Sequence, residues 1–123
     1  MARILIAEDN ADLRNLIVRA LSDDGHDITE AADGAAALDH LRKSTVAFDL
    51  LLSDVKMPVM DGIALALAAA RDYPDVTIVL MTGYAEQRER AYGLDALVRD
   101  VITKPFSLDQ IKSAVRGALA SRH

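Results

Sequence analysis

The sequence predicts an α/β protein built on a five-stranded parallel sheet with helices on both faces. Two observations carry that prediction. Short apolar runs alternate five times with longer stretches of helical periodicity, and no low-complexity linker interrupts them, which is the pattern of repeated βα units. Three of the five runs are almost continuously apolar and two are mixed, as burial at the centre of a sheet and exposure at its edges require. A chain of 123 residues has the length of one domain, so a single domain over 1–123 is expected.

The first strand is expected at Arg3–Glu8, where Ile4-Leu5-Ile6-Ala7 is unbroken. A helix over Ala11–Asp24 follows: Asn10 supplies an N-cap oxygen, Leu13, Leu16, Ile17, Ala20 and Leu21 recur at helical spacing, and Gly25 ends it. The second strand, His26–Ala31, is mixed in character, and the second helix spans Gly34–Lys43. The third strand, Phe48–Asp54, contains Leu50-Leu51-Leu52 and leads to a helix over Gly62–Asp72. In that helix the Ala64 to Ala70 stretch around Leu65 and Leu67 reads as close-packed core. The fourth strand, Val76–Thr82, is near-continuously apolar and is followed by a helix at Ala85–Tyr92. The fifth, Leu97–Thr103, carries Arg99 and Asp100. The last helix, Leu108–Ala120, opens on a Ser107/Gln110 capping box and buries Ile111, Ala114, Val115, Ala118 and Leu119. Pro74 and Pro105 both fall outside helix interiors, where a missing N–H costs little.

Apolar strands one, three and four belong at the centre, and mixed strands two and five at the edges. With right-handed crossovers this gives the order 2-1-3-4-5, that of a flavodoxin-like (βα)5 three-layer sandwich. An order with strand three outermost would expose the Leu triplet. The winding direction then reverses between strands one and three, and ligands of open α/β sheets bind at the carboxyl ends beside that crevice.

Composition narrows the function classes. A net charge of -5 is the wrong sign for neutralising a phosphate backbone, so nucleic acid is not an expected direct partner. The absence of cysteine removes disulfides, thiolate metal sites and catalytic thiols. The longest apolar run, Ile63 to Ala70, is far short of the roughly 18 residues a membrane span needs. Met1-Ala2-Arg3 leads straight into the first strand without an export signal, so a cytoplasmic protein is expected. His26, His40 and His123 share no spacing and read as edge or surface residues.

The residues at the carboxyl ends are more informative. Glu8 and Asp9 follow strand one, Asp54 strand three, Thr82 strand four and Lys104 strand five. Singly, each has an ordinary reading: Glu8 and Asp9 complement a helix dipole, Asp54 starts a turn, Lys104 is solvated. Jointly, three carboxylates repel one another and need a cation, and an all-oxygen donor set favours Mg²⁺. A carboxylate beside Mg²⁺ can attack phosphorus to give an acyl phosphate, while an ammonium and a hydroxyl stabilise the transferring oxygens. Asp54 is the best nucleophile candidate, because it lies centrally across the switch point from Glu8 and Asp9. After it, Val55 to Gly62 is a turn-rich loop whose backbone Pro58 and Gly62 constrain, leaving a carbonyl free to reach the metal.

Ala7-Glu8-Asp9, Ser53-Asp54-Val55-Lys56-Met57-Pro58 with Met60-Asp61-Gly62, Met81-Thr82-Gly83 and Lys104-Pro105-Phe106 resemble, in order and over essentially the whole chain, the receiver domain of two-component response regulators. The resemblance implies that Asp54 accepts a phosphoryl group from a phosphohistidine on a histidine kinase or histidine phosphotransferase. It implies Mg²⁺ held by Asp9, Asp54 and the Lys56 carbonyl, with Glu8 acting largely through water. Thr82 and Lys104 would contact the phosphoryl group and shift the face made by helix four, strand five and helix five.

The sequence departs from the receiver pattern at Val101, where receivers usually carry a Tyr or Phe whose rotation reports the hydroxyl's movement. A Val has no ring to swing, so output is expected to travel through loop and helix-four shifts, or weakly. Lys56 and Tyr84 flank the route of attacking water and are expected to shield the phosphoryl group in part. Tyr84, Arg88 and Tyr92 fall on one side of the fourth helix, either as a partner face or with the rings packed on the sheet and Arg88 snorkelling.

The chain stops soon after its last apolar stripe, so no output domain is expected and output is read as protein–protein binding. The stretches at 63–67, 81–85 with Arg88 and Arg90, and 94–97 resemble stand-alone cell-cycle receivers. That resemblance implies an adaptor which, unphosphorylated, primes a Clp-type AAA+ protease to accept substrates and which a histidine phosphotransfer relay turns off, so that its partners are that protease or its substrates. The alternatives are a phosphoryl carrier or sink in a relay, and a receiver that regulates a kinase or motor. In none is it an enzyme on any substrate but itself. The end of the chain, 118–123, reads either as a degradation signal or as a frayed helix end.

Overall fold

Alternate side chains of a strand leave opposite faces of the sheet, and here each face is covered by its own helices. A computed structural model of the chain describes residues 2–83 and 85–121, with positions 85–87 and 92 described by backbone alone. Strands β1 (Arg3–Ala7), β2 (Asp27–Ala31), β3 (Leu50–Asp54), β4 (Thr77–Thr82) and β5 (Asp100–Thr103) are all parallel, in the order β2-β1-β3-β4-β5. Between and after them run α1 (Ala11–Asp23), α2 (Gly34–Lys43), α3 (Gly62–Asp72), α4 (Ala85–Tyr92) and α5 (Leu108–Ala120). This is the predicted order, and the Leu50-Leu51-Leu52 triplet is fully buried at its centre.

Ile4, Ile6, Leu50, Leu52, Val79 and Met81 face α1 and α5, meeting Ile17, Leu21, Ile111 and Val115. Leu5, Ala7, Leu51 and Leu80 face the other side, against Leu38, Leu41, Leu65, Ala69 and Ala91. Each fully buried Leu or Ile contributes roughly 1.5–3 kcal/mol, so these two apolar layers hold the sheet edge that carries the polar residues.

Several boundaries differ from expectation. The fifth strand begins at Asp100, not Leu97, because Leu97 and Val98 both donate to the Leu94 carbonyl in a helical turn that leaves Leu97 exposed. The first strand stops at Ala7, before Glu8. The second starts at Asp27, because the His26 N–H still donates to Leu21 at the end of α1. The third starts at Leu50 and the fourth at Thr77, later than Phe48 and Val76. Leu16 and Leu67 were both expected in buried stripes, yet each is 47% exposed on the outer side of its helix.

Caps explain why the helices start where they do. Asn10 accepts from Leu13, and Ser107 and Gln110 form the predicted capping box. Asp33 and Asp61 cap α2 and α3 through Ala36 and Ala64 at 2.8 Å each. Gly25, just past the end of α1, has φ +88, the left-handed conformation that glycine adopts without penalty. No helix among the described residues is long and apolar enough to cross a membrane. His26 closes the start of β1, its Nδ1 accepting from the Ala2 N–H at 3.2 Å.

Candidate functional site

Four strand ends bring the polar residues together. Glu8 follows β1, Asp54 ends β3, Thr82 ends β4 and Lys104 follows β5; these four include three of the buried polar residues of the chain, Glu8, Asp54 and Thr82. Carboxylate oxygens of Glu8, Asp9 and Asp54 lie within 4.8 Å of one another. Lys104 Nζ stands 2.9 Å from Asp54 Oδ2 and 3.3 Å from Glu8 Oε1, so it balances part of this charge. The group opens into a cleft of about 840 Å³, rimmed by Asp9, Asn10, Lys56, Pro58 and Pro105.

Local backbone chemistry sets these positions. The Val55 N–H continues the β3 pairing by donating to the Met81 carbonyl, and the Gly62 N–H returns the loop to the Val55 carbonyl at 2.8 Å. A Cβ on Gly62 would collide with the Asp54 carbonyl oxygen, so only glycine lets the start of α3 sit against the end of β3. The Lys104 N–H donates to the Thr82 carbonyl at 2.7 Å, which fixes the ends of β4 and β5 together. The Lys104–Pro105 peptide is cis.

Electrostatics match the geometry. Burial, helped by the Asp54 charge, pushes the Glu8 carboxyl up to about 7, and the Asn10 N–H and Lys104 offset this only in part. Burial opposes the Lys104 charge, but the bond to Asp54 and the charges of Asp54 and Glu8 outweigh it and raise its pKa. Glu8 ionises near 4.5 in an unfolded chain. The folded state therefore holds the proton more tightly between about 4.5 and about 7, and metal-free stability falls as pH rises through that window and levels off above it. Urea unfolding in EDTA at about pH 5 and about pH 8 measures this. Glu8→Gln is expected to flatten the dependence, and an unchanged slope would contradict the assignment.

The loop after Asp54 holds a strained residue that sequence patterning gave no sign of. Val59 has φ +68 and is 84% exposed, and the Met60 N–H donates to the Pro58 carbonyl at 2.7 Å, making a γ-turn about it. This conformation is costly for a β-branched residue. Val59→Gly is expected to stabilise the protein by about 1 kcal/mol, since glycine carries no Cβ penalty at positive φ. A urea midpoint at or below that of the parent would count against it.

Of the other residues singled out by sequence, Lys56 is exposed at the rim of the cleft and Val101 is half-buried on β5 against the core on the α2–α4 side. Arg88 is exposed on α4, while Tyr84 and the Tyr92 side chain lie outside the described residues. Two further features leave no mark in the sequence. Arg90 reaches across from α4 to Asp61 Oδ2 at 3.2 Å, tying α4 to the cap of α3. Arg14 reaches from α1 to the backbone of Glu8. Neither contact leaves a periodic trace, since one joins distant segments and the other runs from a side chain to a backbone carbonyl.

A sheet of this order, with an acidic cluster and a lysine at its carboxyl edge, defines a receiver-type signalling module. The response regulator receiver domain family matches residues 4–116, and the chain belongs to that family. The protein is 37% identical over 119 residues to the response regulator receiver protein CpdR of Brucella abortus, covering 97% of this chain and 98% of that one. It is 34% identical over 126 residues to the sensor kinase CckA of the same organism, covering 96% of this chain but only 12% of the kinase. Among solved structures, response regulator TrrA of Thermotoga maritima in complex with Mg²⁺ and BeF superposes with a TM-score of 0.83 at 27% identity, covering 96% and 99% of the two chains.

Proposed function

We propose that the protein is a single-domain cytoplasmic response regulator, phosphorylated on Asp54, that works by binding other proteins in one phosphorylation state. The observation that carries this is the buried Asp54 carboxylate, which opens into the cleft beside two further carboxylates and is held at 2.9 Å by Lys104.

An Asp54 oxygen attacks the phosphorus of a phosphohistidine; the P–N bond breaks, the imidazole nitrogen leaves, and an acyl phosphate forms on Asp54. Lys104 transfers its contact from the carboxylate to a phosphoryl oxygen, and the Thr82 hydroxyl donates to another. Glu8, Asp9 and Asp54 fit a divalent cation, since their all-oxygen donors lie close together with two of them buried. Asp9, Asp54 and the Lys56 carbonyl, with Glu8 largely through water, would hold Mg²⁺, which when bound would supply positive charge to the transferring oxygens. Lys56 and Tyr84 slow the attack of water on the product. The phosphodonor is a histidine kinase or histidine phosphotransferase, and the chain acts on no substrate but itself.

For output, the likeness to CpdR over nearly the whole of both chains supports a stand-alone adaptor that regulates a Clp-type AAA+ protease when unphosphorylated. Val101 supports a signal carried by the β4–α4 loop and α4, where Arg88 is exposed and Arg90 meets Asp61, rather than by a rotating ring. A carrier or sink in a relay is the second reading, favoured by the same Val101. Incubation with a phosphohistidine donor and intact-mass analysis tests the chemistry. The expected result is a gain of one phosphoryl group that EDTA prevents, and no gain with Mg²⁺ present would refute it.

A further inference from the structure

Arg14 lies on α1 just beyond the acidic pair, and its guanidinium joins two other elements. Nη1 donates to the backbone carbonyl of Glu8 at 2.7 Å, and Nε donates to Glu30 Oε1, on β2, at 3.1 Å. The side chain is only 18% exposed, whereas Glu30 is 44% exposed. On the other side of the same residue, the Glu8 N–H donates to the Ala31 carbonyl at 3.1 Å. The Asn10 N–H reaches Glu8 Oε2 at 3.2 Å. Both backbone groups of Glu8 are thus fastened toward β2, one by Ala31 and one by Arg14.

The restraint has something to resist. Three carboxylates within 4.8 Å push one another apart, and a pair at such distances repels by several kcal/mol at an effective dielectric near 20. Glu8 and Asp9 lie between the last residue of β1 and the cap of α1, so the backbone there must be held if their oxygens are to converge. An ordinary surface ion pair does not account for Arg14, because its shorter bond goes to an uncharged carbonyl and its side chain is largely covered.

We infer that Arg14 is a positioning residue for the acidic site, whose guanidinium fork locks the Glu8 backbone to edge strand β2 and so sets the convergence of Glu8 and Asp9 on a divalent cation. The inference rests on the Mg²⁺ reading proposed above. Two acceptors on different elements need donors in a fixed plane, which guanidinium supplies and an ammonium does not. Outer partners of this kind commonly change metal affinity by about 10- to 100-fold.

The test is calorimetric titration of Mg²⁺ into the purified full chain and its Arg14→Lys, Arg14→Gln and Glu30→Gln variants, with melting in EDTA as a control for folding. Arg14→Lys keeps the charge and removes the fork, and it is expected to weaken Mg²⁺ binding about tenfold while the folded state persists. Arg14→Gln is expected to weaken it as much, although loss of a cation alone would favour Mg²⁺. Glu30→Gln loosens one arm and is expected to fall between these and the parent. Tight Mg²⁺ binding by the parent together with parental affinity in Arg14→Lys overturns the inference alone. No Mg²⁺ binding by the parent overturns the metal reading, and the inference with it.

Discussion

Asp54→Asn is expected to lower phosphoryl uptake from a phosphohistidine donor by about 10³-fold or more, the scale on which removing a nucleophile acts. An amide oxygen lacks the charge and basicity to form the acyl phosphate. The substitution also takes away the carboxylate that Lys104 contacts at 2.9 Å and the charge that helps push Glu8 up to about 7. Glu8 is therefore expected to titrate lower in this variant, an independent sign that the two carboxylates share one site. Intact-mass kinetics measure the first effect and carboxyl-carbon NMR titration the second. Undiminished uptake would move the acceptor to another residue, Asp9 being the nearest exposed carboxylate.

Gly62→Ala is expected to destabilise the fold by about 3 kcal/mol, near the upper end of what overpacking costs. The added methyl meets the Asp54 carbonyl oxygen and the backbone of Val55, neither of which is a flexible side chain that can give way. In a domain of this size the loss corresponds to a fall in Tm on the order of 10 °C. Because the collision lies at the end of β3, the variant is also expected to move Asp54 and lose phosphoryl uptake. Gly117→Ala is the matching control. It lies within α5 with nothing within 4 Å of its added Cβ, and is expected to stabilise by up to about 1 kcal/mol. Urea unfolding of both separates a steric requirement at Gly62 from a general intolerance of substitution.

Much of this architecture was legible because it depends on local or periodic features. Continuous apolar runs placed β1, β3 and β4 at the centre, and mixed composition placed β2 and β5 at the edges, which settles the strand order. The convergence of Glu8, Asp9, Asp54, Thr82 and Lys104 followed from that order, since each comes within two residues of a strand's carboxyl end. What escaped depends on contacts between distant segments or on backbone geometry. Leu16 and Leu67 match the helical period, yet they lie at the margin of stripes narrower than periodicity alone implies. The strand at Leu97 gave way to a helical turn held by the Leu94 carbonyl, which composition does not encode. Arg14, the Arg90–Asp61 pair and the strained Val59 emerge only when the loops are placed against one another.

In the function proposed for this protein, modification of Asp54 decides which proteins it binds. The most direct measurement is affinity capture from a source-cell lysate, with Mg²⁺ throughout, comparing untreated protein, beryllofluoride-treated protein as the mimic of phospho-Asp54, and Asp54→Ala. A AAA+ unfoldase or its substrates are expected with untreated and Asp54→Ala protein and are expected to be lost with beryllofluoride. Recovery of the same kinases and phosphotransferases in all three states, with no unfoldase in any, would contradict that function and leave a phosphoryl carrier.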